Sequence, residues 1–136
     1  MILECTRCGS KGDPDTDFPK DRQKTSGYSS NCRPCHRTQN NEWKAKNPDK
    51  VRDSQLRSYY GIGLADYVRM LDAQNGVCAI CQAPPLPNRN LDVDHDHDTG
   101  QIRGLLCNRC NKILGQAEDS AELLRLMADY LHNGVC

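Results

Sequence analysis

Four Cys-x-x-Cys pairs are the residues of this sequence whose spacing points most directly to chemistry. Two intervening residues allow one tight turn to present both sulfurs to a tetrahedral metal ion at about 2.3 Å. Two pairs lie near the start of the chain and two lie further on, and their members are Cys5 and Cys8, Cys32 and Cys35, Cys78 and Cys81, and Cys107 and Cys110. The spacing predicts two structural zinc sites, each built from four cysteines.

Disulfide and redox uses of these cysteines are less well supported. Residues 1–5 have neither the basic nor the apolar segment of a secretory signal, so we expect a cytoplasmic protein with reduced thiols. Thioredoxin-like chemistry expects one Cys-x-x-Cys pair in a larger α/β context. His36 could compete as a ligand beside Cys35, His132 is expected at the surface, and Cys136 is expected to be a free thiol.

A second set of polar residues lies between the last two cysteine pairs. Aspartates occupy every second position from Asp92 to Asp98, and His95 and His97 lie between the last three of them. A calcium loop would need Gly at its sixth position and Glu at its twelfth, where this run has His97 and Arg103. A solvated acidic turn would leave the two histidines of the run without a role. Phosphodiester hydrolysis, which needs a base to activate water and a divalent cation, accounts for both residue types.

The roles in such a reaction can be divided among three residues. Asp94 and Asn111, which directly follows Cys110, are hard oxygen ligands suited to Mg²⁺ or Mn²⁺. His95 is adjacent to Asp94 on a predicted strand, so it faces the other side of the pleat and can address water instead of the metal.

A hairpin and a helix must position these residues. Alternation predicts a strand over residues 90–95, a turn at 98–100 and a strand over 101–106. Asn108 is a plausible cap for a short helix that ends at Gly115. An amphipathic helix from Leu64 should stop at Asn75-Gly76, and a last helix after Ser120 is expected to pack against the core.

The N-terminal part of the chain is different in character. Residues 1–36 are turn-rich and predict a loop-dominated zinc module, while residues 37–63 predict a basic helical linker interrupted by Pro48. Residues 64–136 would form the second domain. Only 37% of the 136 residues are hydrophobic, and domains with so little core usually depend on metals or disulfides. No apolar run approaches the roughly 20 residues of a membrane-spanning helix.

Charge is distributed unevenly along the chain. Residues 20–57 contain ten Lys or Arg against four acidic residues, whereas residues 61–136 contain six against ten. A basic segment beside an acidic cluster is typical of a protein that binds phosphates with one part and a cation with the other. We therefore expect DNA as a partner, with Lys44, Lys46 and Arg52 as weaker candidates for phosphate contacts. A solvated charged helix explains any one of them equally well.

Three motifs within residues 64–115 resemble the phage recombination endonuclease VII family, which belongs to the HNH, ββα-metal or His-Me finger nucleases. The resemblance implies a small zinc-stabilised α+β fold, with a ββα-metal nuclease core, flanking helices and a preceding loop-rich zinc module. The motifs are Gly76-Val77-Cys78-x-x-Cys81, Leu91-x-x-Asp94-His95-Asp96-His97 and Arg103-Gly104-Leu105-Leu106-Cys107-Asn108-x-Cys110-Asn111.

The resemblance also implies roles for individual residues. Asp94 and Asn111 would bind the catalytic Mg²⁺, His95 would be the general base, and His97 would assist near the scissile phosphate. Candidate phosphate contacts in this half are Arg103, Arg109 and Lys112. The N-terminal module resembles zinc-binding extensions found on many phage members of the family.

These observations favour a metal-dependent DNA endonuclease of low sequence specificity, phage-encoded and acting in the bacterial host cytoplasm. The enzyme would either nick one strand of the DNA or cut both strands. Two alternatives stay open: a nuclease that resolves branched DNA such as Holliday junctions, and a non-catalytic zinc module that binds nucleic acid. The sequence leaves the choice between monomer and homodimer undecided.

Overall fold

The computed structural model describes residues 1–134, and the predicted free thiol of Cys136 lies outside that range. Two clusters of buried side chains organise the chain, and each combines apolar residues with cysteines. The chain divides into two compact units, Met1–Arg52 and Asp53–Cys136. The predicted division at residues 36 and 63 stays a prediction.

The first unit has little regular structure before its long helix. Strands β1 (Leu3–Glu4) and β2 (Lys11–Gly12) pair antiparallel, and α1 (Pro14–Asp17) is a single turn. Its core consists of Phe18 packed with Cys5 and Cys32. A core of this size is too small to hold the unit together alone, as the loop-rich sequence predicted.

Two helices follow the first unit's loops. Helix α2 (Arg33–Lys46) buries none of its residues, and α3 (Pro48–Tyr60) buries Leu56. Proline is tolerated in the first turn of a helix because the amide hydrogen it lacks has no partner there. Pro48 therefore ends one helix and begins the next, which confirms the predicted interruption.

In the second unit, α4 (Leu64–Ala73) has the predicted boundaries. The Asp66 carboxylate accepts a hydrogen bond of 2.8 Å from the Gly63 amide at the start of the helix. At the end, Asn75 and Gly76 have φ of 54° and 74°, and the Gly76 amide donates to the Leu71 carbonyl. This left-handed termination is the stop that Asn75-Gly76 predicted.

The hairpin is formed by β3 (Asp92–His95) and β4 (Ile102–Leu106), both within the predicted strands. The strands are antiparallel, with Asp94 opposite Gly104 and His95 opposite Ile102. Arg103 is therefore an extra residue on β4, a β-bulge of the kind that redirects a side chain.

Two helices follow the hairpin. Helix α5 (Asn108–Gln116) begins one residue earlier than predicted, because its cap is Cys107 and not Asn108. The Cys107 sulfur accepts from the Cys110 amide, so a metal-binding residue also caps the helix. Helix α6 (Ala121–Asn133) is capped by Ser120 as predicted.

The core of the second unit lies between the hairpin and helices α4 and α5. It contains Leu91, Val93, Leu105 and other buried residues, including Cys78 and Cys110. The Tyr67 hydroxyl of α4 donates a hydrogen bond of 2.8 Å to the carbonyl of Leu91. The ββα arrangement that the sequence predicted is thus present.

The prediction that α6 packs against the core is wrong. None of its residues is buried, and its apolar side chains are largely exposed, with Leu131 at 82% and Tyr130 at 62%. Helical spacing shows which side chains share a face, but it does not show whether another element covers that face. No helix among residues 1–134 is long and apolar enough to cross a bilayer.

The outer edge of β4 is closed by a glutamine side chain. Gln74 accepts a hydrogen bond from the Leu105 amide and donates to the carbonyls of Leu105 and Val77, all at 2.9 Å. The Ala79 amide donates to the same Leu105 carbonyl. Gln74 therefore ties the end of α4 to the strand that carries Arg103.

We expect Gln74→Ala to lower the free energy of unfolding by about 1–3 kcal/mol, because it leaves the Leu105 amide without its partner. Urea denaturation of the metal-loaded protein measures this. The matched control is Gln116→Ala, at the exposed end of α5, which should stay within about 0.5 kcal/mol of the unsubstituted protein. Equal midpoints for the two variants would contradict the role of Gln74.

Candidate active site

The structure brings together both predicted sets of four cysteine sulfurs. In each set the sulfur atoms all lie within 4.8 Å of one another. Cys8 and Cys32 are 3.8 Å apart in the first set, and Cys81 and Cys107 are 3.7 Å apart in the second. A disulfide would need about 2.05 Å, whereas a tetrahedron with metal–sulfur bonds of about 2.3 Å has edges of about 3.8 Å. Both donor sets fit zinc.

The backbone prepares one sulfur of each cluster for a cation, whereas a hydrogen bond with the Cys8 sulfur raises the pKa of Cys35 to about 12 and burial raises that of Cys110 to about 12. The amide of Cys32 donates to the Cys5 sulfur at 3.3 Å, and this bond is the main reason that the pKa of Cys5 falls to about 6. Burial raises the pKa of Cys78, but backbone amides, led by that of Cys107, outweigh it and lower the value to about 6. Each cluster thus holds a sulfur that is a thiolate at neutral pH, the form that binds metal.

His36 is not part of the first cluster. Its Nδ1 lies 3.2 Å from the side-chain nitrogen of Asn40, one turn along α2. The four donors of the cluster are all cysteines, so the alternative that His36 replaces one of them is not supported. His132, on α6, is exposed as expected.

The predicted metal ligand Asp94 is a buried charge with a dedicated partner. Its side chain is 8% exposed, and both of its oxygens accept hydrogen bonds from Arg103, at 2.7 Å and 2.9 Å. Asp94 is opposite Gly104, and the β-bulge at the neighbouring Arg103 directs that side chain towards Asp94, so the pairing is a product of the hairpin register. A buried carboxylate needs such partners, because transferring an unpaired charge from water into the protein interior costs free energy.

Arg103 makes a second contact, with a residue that the sequence did not single out. Nη2 of Arg103 donates a hydrogen bond of 3.0 Å to Oδ1 of Asp119. The second oxygen of Asp119, Oδ2, lies 2.8 Å from Nδ1 of His97. The hydrogen bond with His97, followed by that from Arg103, holds the pKa of Asp119 below its usual value. Asp119 is therefore charged at neutral pH and joins two predicted site residues.

His95 lies between two aromatic rings. The Tyr60 ring meets it edge-on with centroids 5.6 Å apart, and the His97 ring is 4.9 Å away. Within residues 1–134 its ring nitrogens make no hydrogen bond. The imidazole is half-buried, held by ring contacts, and has both nitrogens available to a water molecule or a substrate.

Asn111 lies in the first turns of α5, a helix that packs against both β3 and β4. Its side-chain amide makes no hydrogen bond within the described residues. An ionised carboxylate offers about four lone-pair sites, and Arg103 occupies two of those of Asp94. The remaining sites of Asp94 and the amide oxygen of Asn111 are hard oxygen donors, which fit a divalent ion such as Mg²⁺.

The predicted phosphate contacts have different surroundings. Arg103 is held by Asp94 and Asp119, and Arg109 is hydrogen-bonded to the Cys81 sulfur, the main cause of its raised pKa. Lys112 is exposed on α5. Lys44 and Lys46 are exposed in the last turn of α2, and Arg52 is half-buried on α3.

The chain matches known proteins over most of its length. The family described as recombination endonuclease VII matches residues 53–133, nearly all of the second unit. The chain belongs to this family. The resemblance found in the sequence is thereby confirmed, and the protein is a nuclease.

Two relatives come from mycobacteriophages. The Gene 59 protein of Mycobacterium phage D29 is 37% identical over 131 residues, covering 93% of this chain and 72% of the relative. The Gene 59 protein of Mycobacterium phage L5 is 34% identical over 133 residues, covering 95% and 73%. The alignments with these relatives, unlike the family match, also cover most of the first unit.

One solved structure is similar in part. The ββα-Me type II restriction endonuclease Hpy99I aligns with 96% of this chain, at 23% identity and a TM-score of 0.38. The alignment spans 65% of that protein, slightly under two thirds of its length.

We expect the purified endonuclease VII family member to carry two zinc ions per chain, one for each cluster. Cys78→Ser should lose one ion and unfold the second unit, because that unit has few other sources of stability. Cys5→Ser should also lose one ion. Elemental analysis of the dialysed proteins measures the content. Cys136→Ser is the control and should retain both ions, and a single ion in the unsubstituted protein would contradict the assignment.

Proposed function

We propose that this protein is a Mg²⁺- or Mn²⁺-dependent DNA endonuclease, with His95 as the general base. The proposal depends chiefly on one observation: the buried, paired carboxylate of Asp94 directly precedes an imidazole whose nitrogens make no hydrogen bond within residues 1–134. Membership of a nuclease family supports the same chemistry. The enzyme would cleave DNA with low sequence preference, in the cytoplasm of the bacterial host.

Asp94 and Asn111 would hold the divalent ion. When bound, it polarises a phosphate oxygen and stabilises the leaving oxygen. Arg103 contributes by fixing the Asp94 carboxylate with two hydrogen bonds, which limits its rotation. The second set of cysteines fixes the start of α5, and Asn111 directly follows the last of them.

His95 would remove the proton from the attacking water. The edge of Tyr60 and the ring of His97 restrict the His95 imidazole, so its orientation is set before substrate arrives. His97 would lie near the scissile phosphate, and Lys112 would contact a neighbouring one. The zinc module of residues 1–36 and the basic linker of residues 37–63 would grip the DNA backbone through Lys44, Lys46 and Arg52.

We expect His95→Ala to reduce nicking of supercoiled plasmid in Mg²⁺ by about 10²–10⁴-fold, the usual contribution of a general base. Gel assays across Mg²⁺, Mn²⁺ and Ca²⁺ measure the rate, with zinc content and circular dichroism as checks on folding. The matched control is His132→Ala, an exposed histidine on α6, which should cut at the unsubstituted rate.

Two results would contradict this proposal. If His95→Ala cuts as fast as the unsubstituted protein, another residue activates the water. If the unsubstituted protein binds DNA in a salt-sensitive way but cuts in no divalent metal, the chain is a binding module only.

A second candidate substrate is branched DNA, because the family is described as recombination endonucleases. Cleavage of a four-way junction and of a linear duplex with the same sequences separates the two. We expect comparable rates for a nuclease of low structural preference. A junction cut about 10-fold or more faster at equal concentration would favour resolution of branched DNA instead.

A further inference from the structure

The loop between α5 and α6 supplies one side chain to the site. Asp119 lies in this loop with φ of 56°, and its amide donates to the carbonyl of Leu114. The left-handed region is uncommon for a residue other than glycine, although aspartate tolerates it better than most. In this backbone conformation the carboxylate of Asp119 faces His97 in the hairpin loop and Arg103 on β4.

Both oxygens of the Asp119 carboxylate make a hydrogen bond, each with a different residue of the site. One lies 2.8 Å from Nδ1 of His97, and the other accepts from Nη2 of Arg103 at 3.0 Å. The Asp119 side chain is only 21% exposed, less than that of His97 or Arg103. The bonds are therefore better shielded from water than a typical surface ion pair.

These contacts connect the proposed metal ligand with the proposed base. Arg103 is bonded to Asp94, and the ring of His97 contacts the ring of His95. Asp119 contacts both Arg103, which binds Asp94, and His97, which contacts His95. The neighbouring side chain, Glu118, makes no hydrogen bond within residues 1–134, although its backbone has almost the same φ of 51°.

We propose that Asp119 is a positioning residue of the nuclease site, which orients His97 through Nδ1 and holds Arg103 against Asp94. This inference rests on the proposed function, since it assigns a supporting role to a residue that does not itself contact the reacting atoms. A carboxylate that accepts from Nδ1 fixes the tautomer of a neutral imidazole and its ring orientation.

The consequence concerns the other nitrogen of His97. With Nδ1 bonded to Asp119, Nε2 is the nitrogen that a substrate can use. His97, Arg103 and Asp119 line an open polar cleft of about 480 Å³. Asp96, Asp98 and Glu118 also line the cleft, and their negative charge disfavours a phosphate group there. In the Nδ1–H tautomer Nε2 is an acceptor, so a water molecule or a hydroxyl group in the cleft would meet an imidazole already oriented by the protein, and it would lose less entropy on binding productively.

The test compares Asp119→Ala with Glu118→Ala in the full-length, zinc-loaded protein. The two substitutions remove adjacent acidic side chains at positions with nearly equal backbone strain, so Glu118→Ala controls for strain and for net charge. We expect Asp119→Ala to slow single-turnover plasmid nicking in saturating Mg²⁺ by about 10–100-fold. Glu118 lines the same cleft but its side chain makes no hydrogen bond within residues 1–134, so Glu118→Ala should slow nicking far less than Asp119→Ala does.

A spectroscopic readout separates positioning from a merely structural role. In ¹⁵N–¹H spectra of the imidazole rings at a pH where His97 is neutral, His97 of the unsubstituted protein and of Glu118→Ala should be the Nδ1–H tautomer. Asp119→Ala should convert it to a mixture of tautomers, while its zinc content and its circular dichroism spectrum, both recorded below the thermal midpoints of the two variants, match those of Glu118→Ala.

The outcomes distinguish this inference from the proposed function. If the unsubstituted protein does not cut DNA in any divalent metal, the proposed function is wrong, and the tautomer of His97 alone decides the role of Asp119. If the unsubstituted protein cuts and Asp119→Ala cuts equally fast, the inference is overturned and the nuclease assignment stands. An unchanged His97 tautomer in Asp119→Ala also overturns it.

Discussion

The cluster formed by Cys78, Cys81, Cys107 and Cys110 is the constraint on which the rest of the second unit depends. It joins the turn that precedes the hairpin to the end of β4 and the start of α5. Cys107 caps α5, and Asn111 directly follows the last sulfur, so zinc binding would set the position of Asn111 relative to β3. With so few apolar residues, metal–sulfur bonds would take over the stabilising role that a larger core would have.

Ion pairs determine how the polar side chains of the site are arranged. Asp94 carries a charge in a nearly buried position, and the β-bulge supplies Arg103 as its partner. Arg103 in turn needs Asp119, which also engages His97. The carboxylate that is suited to hold a cation is thus held in a fixed orientation by the fold. The imidazole of His95 is held by ring contacts, and its nitrogens make no hydrogen bond within residues 1–134, which is what the proposed role as a base requires.

Local patterns predicted the features that depend on neighbours in sequence. The cysteine spacing gave both four-sulfur sets, alternation gave the hairpin, and Ser120 gave the start of α6. Features that depend on distant partners could not be predicted. Nothing near Asp119 indicates that it meets Arg103, because that contact follows from a bulge and a left-handed loop. The exposure of the apolar face of α6 could likewise not be predicted, because helical periodicity does not show whether another element covers a face.

The most direct test of the account is anomalous diffraction from crystals of the zinc-loaded protein soaked in Mn²⁺, recorded above and below the manganese edge. The account predicts one manganese ion bonded to oxygens of both Asp94 and Asn111, in addition to zinc at the two cysteine clusters. No manganese at this position, or manganese bound by other residues while Asp94 and Asn111 stay unliganded, would contradict it.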